Sequence, residues 1–190
     1  MSNPIIEAIK SRRSARILKQ DTVPSRDLIE SVIDAAIWAP NHHLTEPWRF
    51  VVITGDQRMR LGEALAKALK NDPTQKQINE EMLRVEREKP LRAPVIIAVI
   101  SSPREEEKIV QQEEVVAGGA ALQNMLLAAH SLGFGTMIKT GSHAYLEPVR
   151  EYLGLKGKES LIGFVYLGYP IEPPRPSKRS PLGSKVEWRS

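Results

Sequence analysis

The chain of 190 residues contains no cysteine. Disulfides, thiol nucleophiles and cysteine-ligated zinc or iron–sulfur clusters are therefore excluded together, and the composition suits a reducing compartment. Aromatic residues make up only 5%, too few for a platform on which single-stranded bases would stack. No apolar run approaches the roughly 20 residues that a membrane span needs, the longest being Pro94 to Ile100. Nothing of signal-peptide character follows Met1-Ser2-Asn3-Pro4, so the chain reads as cytoplasmic with no membrane partner. Charge of one sign is not segregated either. The formal charge is +4 and the pI about 9.4, yet Glu80, Glu81, Glu86, Glu88 and Glu105 to Glu107 are interleaved with the bases. That pattern gives no basic stripe and argues against a nucleic-acid partner.

Several motifs are missing as well. There is no nucleophile elbow and no P-loop, which disfavours a hydrolase or kinase. Gly133 and Gly135 open a glycine run, but the third glycine of a dinucleotide fingerprint would fall on Ile138. His42 and His43 are adjacent while His130 and His143 are remote, a poor ligand set, so no metal site is expected.

What is present suits one soluble domain spanning 1–190, with 41% hydrophobic and 26% charged residues. Pro4, capped by Asn3 or Ser2, opens a short helix with Ile5, Ile6 and Ile9 as a narrow apolar stripe. Pro24-Ser25 starts a second helix in which Leu28, Ile29, Val32, Ile33, Ala36 and Ile37 recur at helical spacing until Pro40. Trp48 to Thr54 reads as a strand closed by Gly55-Asp56, and helix resumes from about Gln57 to Lys70. The polar segment 71–89, with Ile78, Met82 and Val85 on one narrow face, reads as an exposed helix or mobile excursion. Pro94 to Ser101 is continuously apolar and predicts a mid-sheet strand. Glu113 to Leu132 predicts a buried helix whose small residues Gly118 to Ala121 admit close approach by another helix. A strand and loop at 137–141, a helix from about Leu146 to Leu153 ended by Gly154, and a strand from Leu161 to Leu167 follow. Beyond Gly168 the tail carries five prolines between Pro170 and Pro181; most of it cannot be helical and needs a surface to lie against. The element order is that of an α+β or α/β layered domain.

Two constellations carry chemistry. Ser11-Arg12-Arg13-Ser14-Ala15-Arg16 packs three guanidiniums and two hydroxyls into six residues, donors suited to a phosphate monoester. Pro40 to Pro47 is a proline-framed loop in which Asn41, His42, His43 and Thr45 offer donors and acceptors. Each has a plainer reading. The cations would also complement the C-terminus of the first helix, and the loop would serve as a rigid helix-to-strand connector. The backbone at Lys139 to Gly141 suits close approach to a ligand ring, or a tight turn.

With these residues in hand the chain resembles the nitroreductase family of flavoproteins. The likeness rests on Arg12-Arg13-Ser14-Ala15-Arg16, the Ala39-Pro40 loop ending in Pro47-Trp48, the long buried helix, Gly133-Phe134-Gly135-Thr136, the run from Gly163 to Tyr169, and Pro176-Ser177-Lys178-Arg179-Ser180-Pro181-Leu182. It implies an α+β fold with a central, mainly antiparallel sheet flanked by helices. It also implies a homodimer that exchanges the C-terminal arm (168–190) and holds FMN at the subunit interface. NADH or NADPH would be the electron donor, with hydride passing through flavin N5 to a nitroaromatic, quinone or related small-molecule acceptor. By the same resemblance Arg12, Arg13, Ser14, Lys178 and Arg179 serve the phosphate and ribityl chain. Arg16 approaches flavin N1 and O2, where a fixed cation favours the reduced, anionic ring. Pro40, Asn41 and His42 cover the flavin from the second subunit, and Ile138, Lys139, Thr140 and Gly141 run beside the ring. No side chain need act as a nucleophile. Asn41, Leu44 and Glu46 stand where the family commonly has Ser, Asn and Gln, changes that bear on substrate preference. The short chain is similar to the compact members of the family. A flavin-binding or flavin-handling protein without efficient NAD(P)H turnover is the alternative, and a basic interaction module without flavin the third reading.

Overall fold

The computed structural model describes residues 3–104, 108–173 and 175–189; Ser2, the alternative cap, and Glu105 to Glu107 lie outside them. Four strands form one sheet in the order β1-β2-β4-β3, with every pair antiparallel: β1 (Trp48–Thr54), β2 (Val95–Ser101), β3 (Gly135–Lys139) and β4 (Ser160–Gly168). With helices on both faces this is an α+β fold, which decides between the two layered classes left open by element order.

The sheet is built on β2, buried at every position as its sequence predicts. Alternation along the strand sorts its side chains between two cores. Ile96, Ala98 and Ile100 join Leu61, Leu65 and Ala68 of α3 (Gln57–Lys70) and Val149 and Leu153 of α6 (Glu147–Leu153). Val95, Ile97 and Val99 join Val32 and Ala36 of α2 (Arg26–Ala36) and Ala121, Met125 and Ala129 of α5 (Gln111–Ser131). β4 divides likewise, Phe164 and Tyr166 to the first core, Val165 and Leu167 to the second. At one end of the sheet Arg49 of β1 donates to Glu159 at 2.9 and 3.0 Å. This guanidinium contact is the main reason the Glu159 carboxyl is held down to about 2.

The helix caps follow the sequence. Asn3 accepts from the Ile5 and Ile6 amides to start α1 (Pro4–Ser11), and Ser25 accepts from the Leu28 amide to start α2. Gly154 ends α6 in the left-handed conformation. The α1 stripe of Ile5, Ile6 and Ile9 exists but stays about half exposed or more, with α1 touching α5 and none of its residues buried.

Two expectations are refined. The segment 71–89 is not an excursion: α4 (Glu80–Glu88) docks on α3 through Leu83, Ala66 and Leu69, and buries Glu86. Asn79 caps it by accepting from the Met82 amide, and Gly62 lets its backbone come close. The small residues of α5 also act differently. Gly118 faces the Ile162 side chain of β4, where a Cβ would lie 3.2 Å from Cγ1, while Gly119 has nothing within 4 Å. At Gly118 the close approach is to the sheet, while Ala121 shares a core with Val32 and Ala36 of α2.

The tail leaves β4 beside residues 17–19, with Leu18 bridged to Pro170 and the Ile171 amide donating to Ile17 at 3.2 Å. Every described residue beyond Pro170 is exposed, Trp188 at 91%.

Gly62 marks the tightest helix contact, because a Cβ there would sit 2.2 Å from the Arg87 carbonyl oxygen. Gly62→Ala must push α4 off α3 and should cost about 1–3 kcal/mol. Chemical denaturation with an unchanged midpoint would show that the α3–α4 contact is softer than its geometry.

Candidate functional site

Arg12 to Arg16 follow α1 directly and then become strand-like. The Ala15 amide donates to the Thr136 carbonyl at 2.9 Å, Ser14 bridges Thr136 in parallel, and the Lys19 amide donates to Tyr169 at 2.9 Å. These bonds staple the segment to β3 and to the end of β4. Gly135 makes that possible, since a Cβ there would lie 2.6 Å from Ala15 Cβ and 2.8 Å from Leu18 Cδ2. The preceding Gly133 (φ 79°) belongs to the helix-to-strand turn, with the Phe134 amide reaching the Ala129 carbonyl at 2.8 Å.

Between this segment, the α5–β3 turn and the tail lies a cleft of about 510 Å³. Arg12, Arg13, Ser14, Arg16 and Arg179 line it together with Arg175, which sequence reasoning had not singled out. Lys178 stands beside the cleft but does not line it. Arg13 is used structurally in part, donating to the Lys10 and Arg12 carbonyls, although its buried Nε has no partner. The side chains of Arg12, Ser14 and Arg16 make no hydrogen bond or ion pair among the described residues. Partial burial, and then the charges of Arg13 and Arg179, lower the pKa of Arg12. Glu172 also lines the cleft but makes no ion pair with these arginines among the described residues, so Arg12, with two other guanidiniums acting on it, sits in a positive field that a bound anion would relieve. Both α1 and α5 end here, and their negative C-terminal dipoles help to hold the cations.

β3 runs from this cleft to a second, smaller one. Ile138 is exposed on the strand, and Lys139, Thr140 and Gly141 line a pocket of about 240 Å³ with Lys89, Arg92 and His143. Gly141, at φ 131° and ψ 159°, has a backbone that only glycine adopts readily. His143 Nδ1 lies 3.2 Å from Glu86 Oε1, and its Nε2 lies 3.3 Å from Asp72 Oδ2 without hydrogen-bond geometry. The Asp72 carboxyl is held below its usual range chiefly by the Thr74 hydroxyl and amide. Lys89 pairs with Glu86. Burial raises the Tyr166 phenol and, with Arg92 and Lys89 nearby, lowers Lys139. Sequence reasoning missed Glu86, Lys89, Arg92, His143 and Tyr166; the one available signal was the acidic and basic spacing within 86–92.

Pro40, Asn41 and His42 lie in neither place. They line a third, open groove with Val110, Gln112 and Glu113 at the start of α5. The loop is strained: His43, Leu44 and Glu46 all have positive φ (55°, 52° and 48°). Asn41 Oδ1 accepts from the Glu46 amide at 3.0 Å, and Thr45 Oγ1 donates to Glu114 Oε1 at 2.8 Å. Thr45 is 5% exposed and Glu114 1%; Glu114 Oε2 has no partner. A buried carboxylate held by one hydroxyl is a costly way to pin a loop, and it argues that the loop conformation matters.

Among the described residues no group of three or more His, Cys, Asp or Glu could hold a metal ion, and no helix is long and apolar enough to cross a membrane. Residues 9–169 match the profile of the Nitroreductase family. The chain is 32% identical over 180 residues to the protein named "Putative NAD(P)H nitroreductase YfhC" from Bacillus subtilis (strain 168), covering 93% of this chain and 89% of that one. A nitroreductase-like family protein from Bacillus cereus has the same fold, with a TM-score of 0.83 and 28% identity over 100% of this chain and 97% of that one. A protein from Desulfovibrio desulfuricans solved in complex with FMN matches with a TM-score of 0.69 and 27% identity, over 100% and 99% of the two chains. The chain belongs to the nitroreductase family, a family of oxidoreductases.

The Thr45–Glu114 bond offers a direct test of loop pinning. Thr45→Val leaves a buried carboxylate without its donor and should destabilise the fold by about 1–3 kcal/mol. Urea unfolding checks this, and an unchanged midpoint would mean that Glu114 finds another partner.

Proposed function

We propose that this protein is an FMN-dependent NAD(P)H oxidoreductase that passes electrons to a nitroaromatic, quinone or related small acceptor. The single observation that carries the reading is the arginine cleft: guanidiniums and a hydroxyl that outnumber the one lining carboxylate, Glu172, and form no ion pair with it among the described residues, joined through β3 to the glycine-bearing turn at Lys139 to Gly141. The cleft fits an anionic phosphate, and the backbone beyond it fits the edge of a planar ring. When bound, FMN supplies N5 as the atom that takes up and gives back hydride.

The chain's own residues bind and orient. Arg12, Arg13, Ser14 and Arg179 donate to the phosphate and ribityl chain, Lys178 adds charge at the rim, and Arg16 is a fixed cation for the pyrimidine side of the ring. Ile138, Lys139, Thr140 and Gly141 hold the ring edge. Residues 1–190 act as one domain with 168–190 as an arm. Pro40, Asn41 and His42 lie away from the cleft in a single chain, so they reach the ring only from a second copy. The homodimer reading is supported by the surface that the chain leaves open: the α1 stripe, Trp38 (79% exposed), Val116 on α5, and Leu182 and Trp188 on the arm.

Purified protein is expected to be yellow and to bleach anaerobically with NADH or NADPH. Flavin that stays oxidised with both nucleotides would reject the reductase reading in favour of flavin binding alone. Arg12→Ala should weaken FMN binding roughly 10- to 100-fold, as loss of a charged phosphate donor does. Full occupancy after dialysis would remove Arg12 from the site. Arg16→Ala should instead keep FMN and lower its reduction potential by roughly 30 mV, equivalent to about 1.4 kcal/mol for two electrons. An unchanged potential would remove Arg16 from the ring.

A further inference from the structure

We infer that the pocket of about 240 Å³ beyond Lys139 is the acceptor site and is built for a single aromatic ring bearing a carboxylate. This rests on the flavin reading above, because Thr140 and Gly141 line the pocket and also form the stretch given to the ring edge. The volume is of the order that takes one substituted aromatic ring. Its inner wall is formed by the buried side chains of Leu65, Ala144, Phe164 and Tyr166 and is apolar apart from the Tyr166 hydroxyl. Such a wall provides contact area for a ring, with the Tyr166 hydroxyl as its one hydrogen-bonding group.

The charged side of the pocket is unbalanced. Glu86 is its carboxylate, and it is already engaged by Lys89 and by His143 Nδ1. Arg92 and Lys139 make no ion pair or hydrogen bond among the described residues. The ammonium of Lys139 is disfavoured by partial burial and by Arg92 and Lys89, so an anion between them removes a repulsion as well as forming an attraction. His143 already lies between two acids, Nδ1 3.2 Å from Glu86 and Nε2 3.3 Å from Asp72, so the groups left for an anion are Arg92 and Lys139. A neutral acceptor would fill the apolar wall and leave both cations unmatched; a carboxylated one satisfies them. Discrimination between the two then comes from the pocket's unpaired charge rather than from its shape.

The test measures binding of benzoate, the neutral benzamide and inorganic phosphate to the purified protein by calorimetry, with flavin content read from the visible spectrum. Benzoate should bind about five-fold or more tightly than benzamide, the effect of one partly exposed charge pair. Arg92→Gln should bring the two together and Arg92→Lys should retain most of the preference. Arg92 is exposed, so neither change is expected to disturb folding, and flavin content should hold. Equal affinity for benzoate and benzamide, or a preference untouched by Arg92→Gln, overturns the assignment. Phosphate binding in place of benzoate also overturns it, pointing to a phosphorylated ligand. An Arg92-dependent benzoate preference in protein that holds no FMN would leave the anion pocket standing and reject the flavin reading instead.

Discussion

The missing side chain of Gly135 is the constraint on which the rest of the site depends. It allows residues 14–18 to lie against β3 at backbone distance, where any Cβ would collide with Ala15 and Leu18. Without that contact the arginines would be a flexible sequel to α1; with it, they are a register-locked addition to the sheet. β3 then serves two ends. Its start is held to the arginine cleft and its end turns at Gly141 into the smaller pocket, so one short strand sets the spacing between both. The strand in turn is fixed by β4, which pairs with β2, the buried centre of the domain.

The loop at 40–47 obeys a different economy. Positive φ at His43, Leu44 and Glu46 and a buried Glu114 both oppose folding of the chain by itself. They are overcome locally, by the Asn41 and Thr45 side chains and by the packing of α2 and α5 beneath.

Much of the fold was legible because its signals are one-dimensional. The β-branched run at 95–101, the helical spacing of Ile29, Val32 and Ala36, and the capping residues Asn3 and Ser25 act within a few residues of themselves. The arginine segment was legible for the same reason: its donors are adjacent in sequence. What escaped was set by tertiary contact. The docking of α4 depends on a carbonyl of Arg87 meeting Gly62, and Gly62 in isolation reads only as a weak point in a helix. The second pocket gathers Leu65, Glu86, His143 and Tyr166 from four separate elements, none of which carries a local signature. Glu114 carries no local signature either, and only its burial gives it a role.

The prolines of the tail have an entropic consequence. A segment that must settle on another surface loses conformational freedom when it does so, and proline, with φ already fixed, has less to lose than any other residue. Five of them between Pro170 and Pro181 mean that the unbound arm is already narrowed toward extended forms. In the proposed complex the bases carried on it, Arg175, Lys178 and Arg179, would be presented on a stiff strap rather than a loose tether, so that less of their attraction for an anion would go into ordering the chain that bears them.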